Sequence, residues 1–296
     1  MLSPSKQFEA IGAPWQIDTA QPLSAEADAA IAARIDDFDR TYSRFRHDSL
    51  VSTIARTPGT YRFPPDAPPL FELYRRLYTA TQGAMSPLVG HALEELGYDR
   101  TYSLQPSAAR TRVPQWHEAL SWNGNELTTH TPALLDVGAA GKGYLVDLVA
   151  EVLREHGVDA LTVDASGDIL HRGDADLRVA LEHPRDTSKA IGVVSIRDQA
   201  MCASAPNRRA WAGLHHILDA RTGRPTDRII ATWALTATAL EADGLATALF
   251  FAEPSDLATE FDFQWVRMFS TGRVEYSPDL NGELFVGESG TGGSGT

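Results

Sequence analysis

At 296 residues and 43% hydrophobic content, the chain can bury one large core or two intimate subdomains, which excludes a predominantly disordered protein. Its formal charge of −13 opposes a phosphate-backbone partner, so no nucleic-acid role is expected, and a small anionic ligand needs a local device such as a metal ion or a helix N-terminus. Cys202 is the single cysteine, which excludes an intramolecular disulfide and leaves a structural zinc site without support.

The start, Met1-Leu2-Ser3-Pro4-Ser5-Lys6-Gln7, has no basic stretch followed by an apolar one, and no later run approaches a membrane span. With Met1 as the natural start, a cytoplasmic protein without a membrane anchor is expected. Residues 24–42 carry Ala30, Ile31, Ile35, Phe38 and Tyr42 at helical spacing and predict an amphipathic helix. A second helix is predicted over 69–82, stopped by Gly83, with Pro-rich and Gly-rich connectors between the two. Residues 100–134 show no clear pattern. Residues 134–137 then read as a strand, 138–143 as a glycine-rich loop and 144–156 as a helix closed by Gly157. Further strands are predicted at 160–165, 176–182, 191–197 and 229–237, and a helix over 241–251. The Gly/Ser/Thr tail, 287–296, has too little apolar content to pack and is expected to be flexible. The pattern is that of an α+β protein with mixed sheets and flanking helices.

Three constellations carry chemistry. Asp136-Val137-Gly138-Ala139-Ala140-Gly141-Lys142-Gly143 joins a predicted strand to a helix, where glycines admit a ligand, amides point outward and Lys142 adds charge. A phosphate suits it, although a plain tight turn also would. Asp243 and Thr247 stand at i and i+4 on one helix face, so a carboxylate and a hydroxyl can converge on a hard cation such as Mg²⁺. The alternative is a solvated Asp with Thr bonded back to its own helix. His215-His216-Ile217-Leu218-Asp219-Ala220-Arg221-Thr222-Gly223 places an imidazole beside a polar turn, either as a proton acceptor or as a packed, hydrogen-bonded histidine. Asp164-Ala165-Ser166-Gly167-Asp168 reads as a turn that faces a ligand or as an ordinary one.

Taken in this order, the segments resemble the FAD:protein FMN transferase (ApbE-type) family. Asp136 to Tyr144 is similar to its Asp, small-residue loop and Lys-Gly-Tyr, and Ser166-Gly167-Asp168 to its Gly-Asp strand end. His215 to Gly223 resembles its His-His-Ile-[IL]-Asp…Thr-Gly, and Ala242 to Thr247 its Ala-Asp-x-x-x-Thr helix. Ile11-Gly12-Ala13 and Tyr42-Ser43-Arg44-Phe45…Asp48-Ser49 resemble its two N-terminal motifs, with Ala13, Phe45, Ser86 and Gly141 as departures from the usual Thr, Tyr, Asp and Ala.

The resemblance implies Mg²⁺ held by Asp243, Thr247 and the carbonyl of Ala139. It implies FAD contacts around Ile11, Phe45, Ala84, Met85, Ser86, Asp136, Lys142, Leu218 and Ala246, with His216 as the base. It further implies that FAD is split at its pyrophosphate, FMN passing to a Thr or Ser hydroxyl of an acceptor protein while AMP leaves. An FAD pyrophosphatase, in which water replaces that hydroxyl, and a non-catalytic FAD-binding protein are the alternatives. By the same resemblance, residues 1–286 form one domain of two intimate subdomains, with a tunnelling-fold-like core and FAD between the two.

Overall fold

A computed structural model describes residues 4–109 and 111–285. The tail expected to be flexible at 287–296 lies outside the described residues. The chain begins with a hairpin of β1 (Ser5–Ala10) and β2 (Ala13–Thr19), turned by Ile11 and Gly12 with φ of 46° and 74°. A two-residue turn with both φ positive matches the twist of paired strands. Helix α1 (Ala25–Tyr42) starts at Ser24, whose Oγ accepts the Ala27 amide at 3.1 Å, and it buries Ile31, Phe38 and Tyr42. Helix α2 (Leu50–Arg56) starts in the same way at Ser49. After β3 (Thr60–Arg62) comes α3 (Pro68–Ala80), ended by Gly83 with φ 84°. Helices α4 (Gly90–Glu95) and α5 (Trp116–Ala119) lead to β4 (Leu120–Asn123) and β5 (Glu126–Thr129), which pair with β3 in a small sheet.

Helix α6 (Gly141–Glu155) is followed by β6 (Leu161–Asp164), β7 (Asp168–Arg172), β8 (Leu177–His183), β9 (Asp186–Ile196) and β10 (Gln199–Ser204). Two short ladders come next: β11 (Ala210–Trp211) with β12 (Leu214–His215), and β13 (Leu218–Asp219) with β14 (Arg224–Pro225). The chain continues through β15 (Ile229–Thr236), α7 (Ala239–Ala248), β16 (Gln264–Phe269), β17 (Val274–Tyr276) and β18 (Gly282–Leu284).

Eight strands form the central sheet in the order β1-β2-β6-β7-β10-β15-β16-β17, and every pairing given for the described residues is antiparallel. Its side chains divide by the two-residue period of a strand. Leu170, Ala200, Cys202 and Ala234 enter the core that holds α6 and α7, whereas Ile169, Met201, Trp233 and Leu235 pack with Leu181, Val194 and Ile196 of the β18-β9-β8 sheet. Helices thus cover one face and the three-stranded sheet the other, an α+β architecture with flanking helices.

Two expectations need correction. Residues 134–137 form no ladder: the chain is irregular there, and the Asp136 amide donates to the Pro87 carbonyl at 2.7 Å. Helix α6 begins at Gly141 and not at residue 144, which puts Lys142 and Gly143 in its first turn.

Candidate active site

The site begins where α6 meets α7. A Cβ on Gly143 would lie 2.1 Å from the Ala239 carbonyl oxygen and 2.6 Å from the Asp243 Cβ, so only glycine lets the two helices approach this closely. The Gly143 amide donates to Asp243 Oδ2 at 2.9 Å. One turn along α6, the Asp147 carboxylate accepts the Ala239 and Leu240 amides at 2.9 and 2.8 Å, holding the start of α7. Burial pushes Asp147 up to about 6. On the far side, Gly244 admits Leu73 and Leu77 of α3, whose methyl carbons lie 2.9 and 2.8 Å from where its Cβ would stand. Helix α7 is thereby fixed from two directions.

Asp243 and Thr247 are 6% and 9% exposed, and both line a cavity of about 970 Å³. The same cavity is lined by Ile11, Phe45, Met85, Ser86, Asp136, Ala139, Lys142, His216 and Leu218, so the hairpin turn, the glycine loop, α7 and the His-His segment share one space. Ala84 and Ala246 do not line it. Both are fully buried, the Ala84 carbonyl accepting the Ala220 amide at 2.9 Å and the Ala246 carbonyl accepting Thr232 Oγ1 at 2.5 Å.

The charged groups are tied to one another. Lys142 Nζ lies 2.5 Å from Oδ2 of the fully buried Asp168 and donates to the Ala165 carbonyl at 2.6 Å, so the Asp164–Asp168 turn holds the lysine at the cavity wall. Asp136 receives Arg44 Nε on Oδ2 at 2.5 Å and the Gly138 amide on Oδ1 at 2.8 Å. Ser86 accepts the Leu88 amide at 3.2 Å and starts the short turn that follows it.

The two adjacent histidines have different surroundings. His215 Nδ1 accepts the Ile217 amide at 3.2 Å, which leaves Nε2 to donate to the Thr226 carbonyl at 2.6 Å. Burial lowers its pKa, consistent with a neutral ring held by two backbone groups. His216 lines the cavity, its ring tilted 51° and 6.4 Å from that of Tyr98.

An aromatic wall was not legible in the sequence. Tyr98 stacks on Trp211 at 5.6 Å, and Phe45 stacks on Tyr102 at 5.1 Å with the rings 4° from parallel. These residues come from three distant segments with no shared pattern, joined by the Phe45–Tyr98 and Tyr98–Tyr102 ring contacts and by the Trp211 side chain bonding the Leu96 carbonyl at 2.8 Å.

Among the described residues no three His, Cys, Asp or Glu side chains cluster as a transition-metal site. Asp243, Thr247 and Ala139 line the same cavity, and a carboxylate, a hydroxyl and a backbone oxygen are the donor types suited to a hard cation that completes its shell with water and phosphate oxygens. Beneath it the buried Tyr74 phenol is pushed well up by desolvation and by the charges of Asp136 and Asp243, and so keeps its proton.

Residues 11–262 match the family model described as the ApbE family. The chain is 26% identical over 269 residues to the FAD:protein FMN transferase of Klebsiella pneumoniae (strain 342), covering 82% of this chain and 77% of that one. Among solved structures, the ApbE protein from Thermotoga maritima superposes with a TM-score of 0.80 at 20% identity, covering 93% of this chain and 97% of that one. A mutant of the flavin transferase ApbE from Vibrio cholerae superposes with a TM-score of 0.78 at 22% identity, covering 93% and 98%. At these identities the structural likenesses speak for the fold, while the family model spans most of the length. The chain belongs to the ApbE family.

Proposed function

We propose that the chain transfers FMN from FAD to a threonine or serine hydroxyl of an acceptor protein, with release of AMP, in a Mg²⁺-dependent reaction. One observation carries the reading. The buried Asp243, oriented by the Gly143 amide, shares a cavity of about 970 Å³ with Thr247, Ala139 and His216. That volume lies at the upper end of small-molecule sites, as a dinucleotide requires.

In this reading the acceptor oxygen attacks the FMN phosphorus while the bond to the AMP phosphate breaks, and AMP departs with the bridging oxygen. His216 takes the hydroxyl proton; its Nδ1 is shielded from solvent, so Nε2 is the nitrogen assigned to that step. Asp243, Thr247 and the Ala139 carbonyl would hold Mg²⁺, which when bound offsets the charge developing on the diphosphate. Ile11, Phe45, Met85, Ser86 and Leu218 bind and orient the flavin half, and Lys142 keeps a positive charge at the wall.

The test is incubation with FAD and Mg²⁺, with and without an acceptor domain, following AMP by chromatography and the acceptor by mass spectrometry. A mass gain of one FMN on the acceptor, lost in Asp243→Ala, is the expected result. AMP release without labelling would mean hydrolysis, neither product would mean binding alone, and AMP release undiminished in Asp243→Ala would remove the cation site from the mechanism.

A further inference from the structure

Arg44 is 2% exposed, an unfavourable place for a guanidinium. Its Nε donates to Asp136 Oδ2 at 2.5 Å, and its guanidinium carbon lies 4.2 Å from the Phe45 ring centroid and 4.8 Å from that of Tyr98. Among the described residues neither Nη has an acceptor. Removing a guanidinium from water in this way is seldom a net gain in stability, and one attested use of such a buried pair is to impose a single arrangement. What this pair arranges is traceable atom by atom. Asp136 is held through its own amide by the Pro87 carbonyl at 2.7 Å, and its second oxygen accepts the Gly138 amide at 2.8 Å. The next residue is Ala139, and two residues later Gly141 opens α6.

We propose that Arg44 is a positioning residue for the divalent cation: it holds Asp136 in one rotamer, and Asp136 in turn fixes the Gly138–Ala139 turn on the cavity shared with Asp243 and Thr247. The guanidinium lies over the Phe45 and Tyr98 rings, so Arg44 links Asp136 to the aromatic wall. The inference rests on the cation reading given above. It adds a residue that touches neither the cation nor the reacting atoms.

The experiment measures Mn²⁺ affinity by electron paramagnetic resonance on the FAD-saturated protein, together with the KM for Mg²⁺, kcat and the melting temperature. Arg44→Met is expected to weaken Mn²⁺ binding about tenfold and to raise the KM for Mg²⁺ more than it lowers kcat, as loss of a group supporting a ligand does. Arg44→Lys, which keeps the charge but not the planar Nε contact, should fall between Arg44→Met and the wild type. Should Arg44→Met melt lower yet bind Mn²⁺ as tightly as the wild type, Arg44 is structural only and the proposal is overturned. If Arg44→Met does not fold, Arg44→Lys decides alone: weaker Mn²⁺ binding supports the role and unchanged binding overturns it. Asp243→Ala separates the two levels, because wild-type Mn²⁺ affinity in that variant would overturn the cation reading itself, whereas its loss alongside unchanged Arg44 variants overturns only the role of Arg44.

Discussion

The Gly143 amide meets Asp243 Oδ2 at 2.9 Å, across a helix crossing too tight for any side chain at position 143. Gly143→Ala must push α7 away, because the nearest obstacle is the Ala239 carbonyl and not a movable side chain. Overpacking of this sort costs about 1–3 kcal/mol, so a lowered melting temperature is expected and, under the cation reading, a higher Mg²⁺ concentration for half-maximal FMN transfer. An unchanged Mg²⁺ titration would show that α7 can shift without disturbing Asp243.

His215 and His216 should separate cleanly. His216→Asn is expected to lower FMN transfer about 100-fold with little change in melting temperature, the usual scale for loss of a general base. His215→Gln should instead lower stability, since the ring joins the Ile217 amide to the Thr226 carbonyl.

The His215 pair also sets a pH dependence. Burial lowers its folded pKa below the usual value of 6.5, so on acidification the unfolded chain binds the proton first. Stability tied to this ring is therefore present above about pH 6.5 and is lost as the pH falls below it. The difference in melting temperature between wild type and His215→Gln should shrink from pH 7.5 to pH 5.5. A constant difference would mean that the ring does not titrate in this way.

Asp147 acts with the opposite sign. Burial raises its folded pKa to about 6, so its contribution is fully present when the group is protonated in both states and is lost as the pH rises through that value. Its two bonds to the Ala239 and Leu240 amides still favour the native helix at neutral pH. Asp147→Ala should cost about 1–2 kcal/mol at pH 7, as removal of a helix-start acceptor does, and chemical denaturation measures it directly.

Ile11 carries strain at the cavity wall. A β-branched residue at φ 46° costs about 1–2 kcal/mol, which asparagine tolerates better. Ile11→Asn should leave the melting temperature unchanged or higher while weakening FAD binding in a fluorescence titration. A lower melting temperature with unchanged affinity would assign Ile11 to packing alone.

The parts of the site legible in the sequence were those carried by short local motifs. Lys142 with Gly143, Asp243 with Thr247, and the paired histidines each announce themselves within a few residues. Arg44, Tyr98 and Trp211 did not, because their roles depend on contacts between segments far apart in the chain. Residues 134–137 have the composition of a strand but find their backbone partner at Pro87, outside any ladder. Ala84 and Ala246 lie within matching motifs, yet their backbone carbonyls serve the protein interior. The β1–β2 hairpin was missed although Trp15 and Ile17 alternate with less buried residues along a strand of seven residues.

The cavity is closed by parts of the chain that leave the ribosome far apart in time. Ile11 and Arg44 are made well before α7, β2 awaits β6 as its neighbour, and Asp243 arrives only with α7. Such long-range pairings form late in folding. A nascent polypeptide that has not yet delivered α7 lacks one wall of the cavity, so, under the cation reading proposed above, a fragment ending before Ala239 is expected to be inert toward flavin.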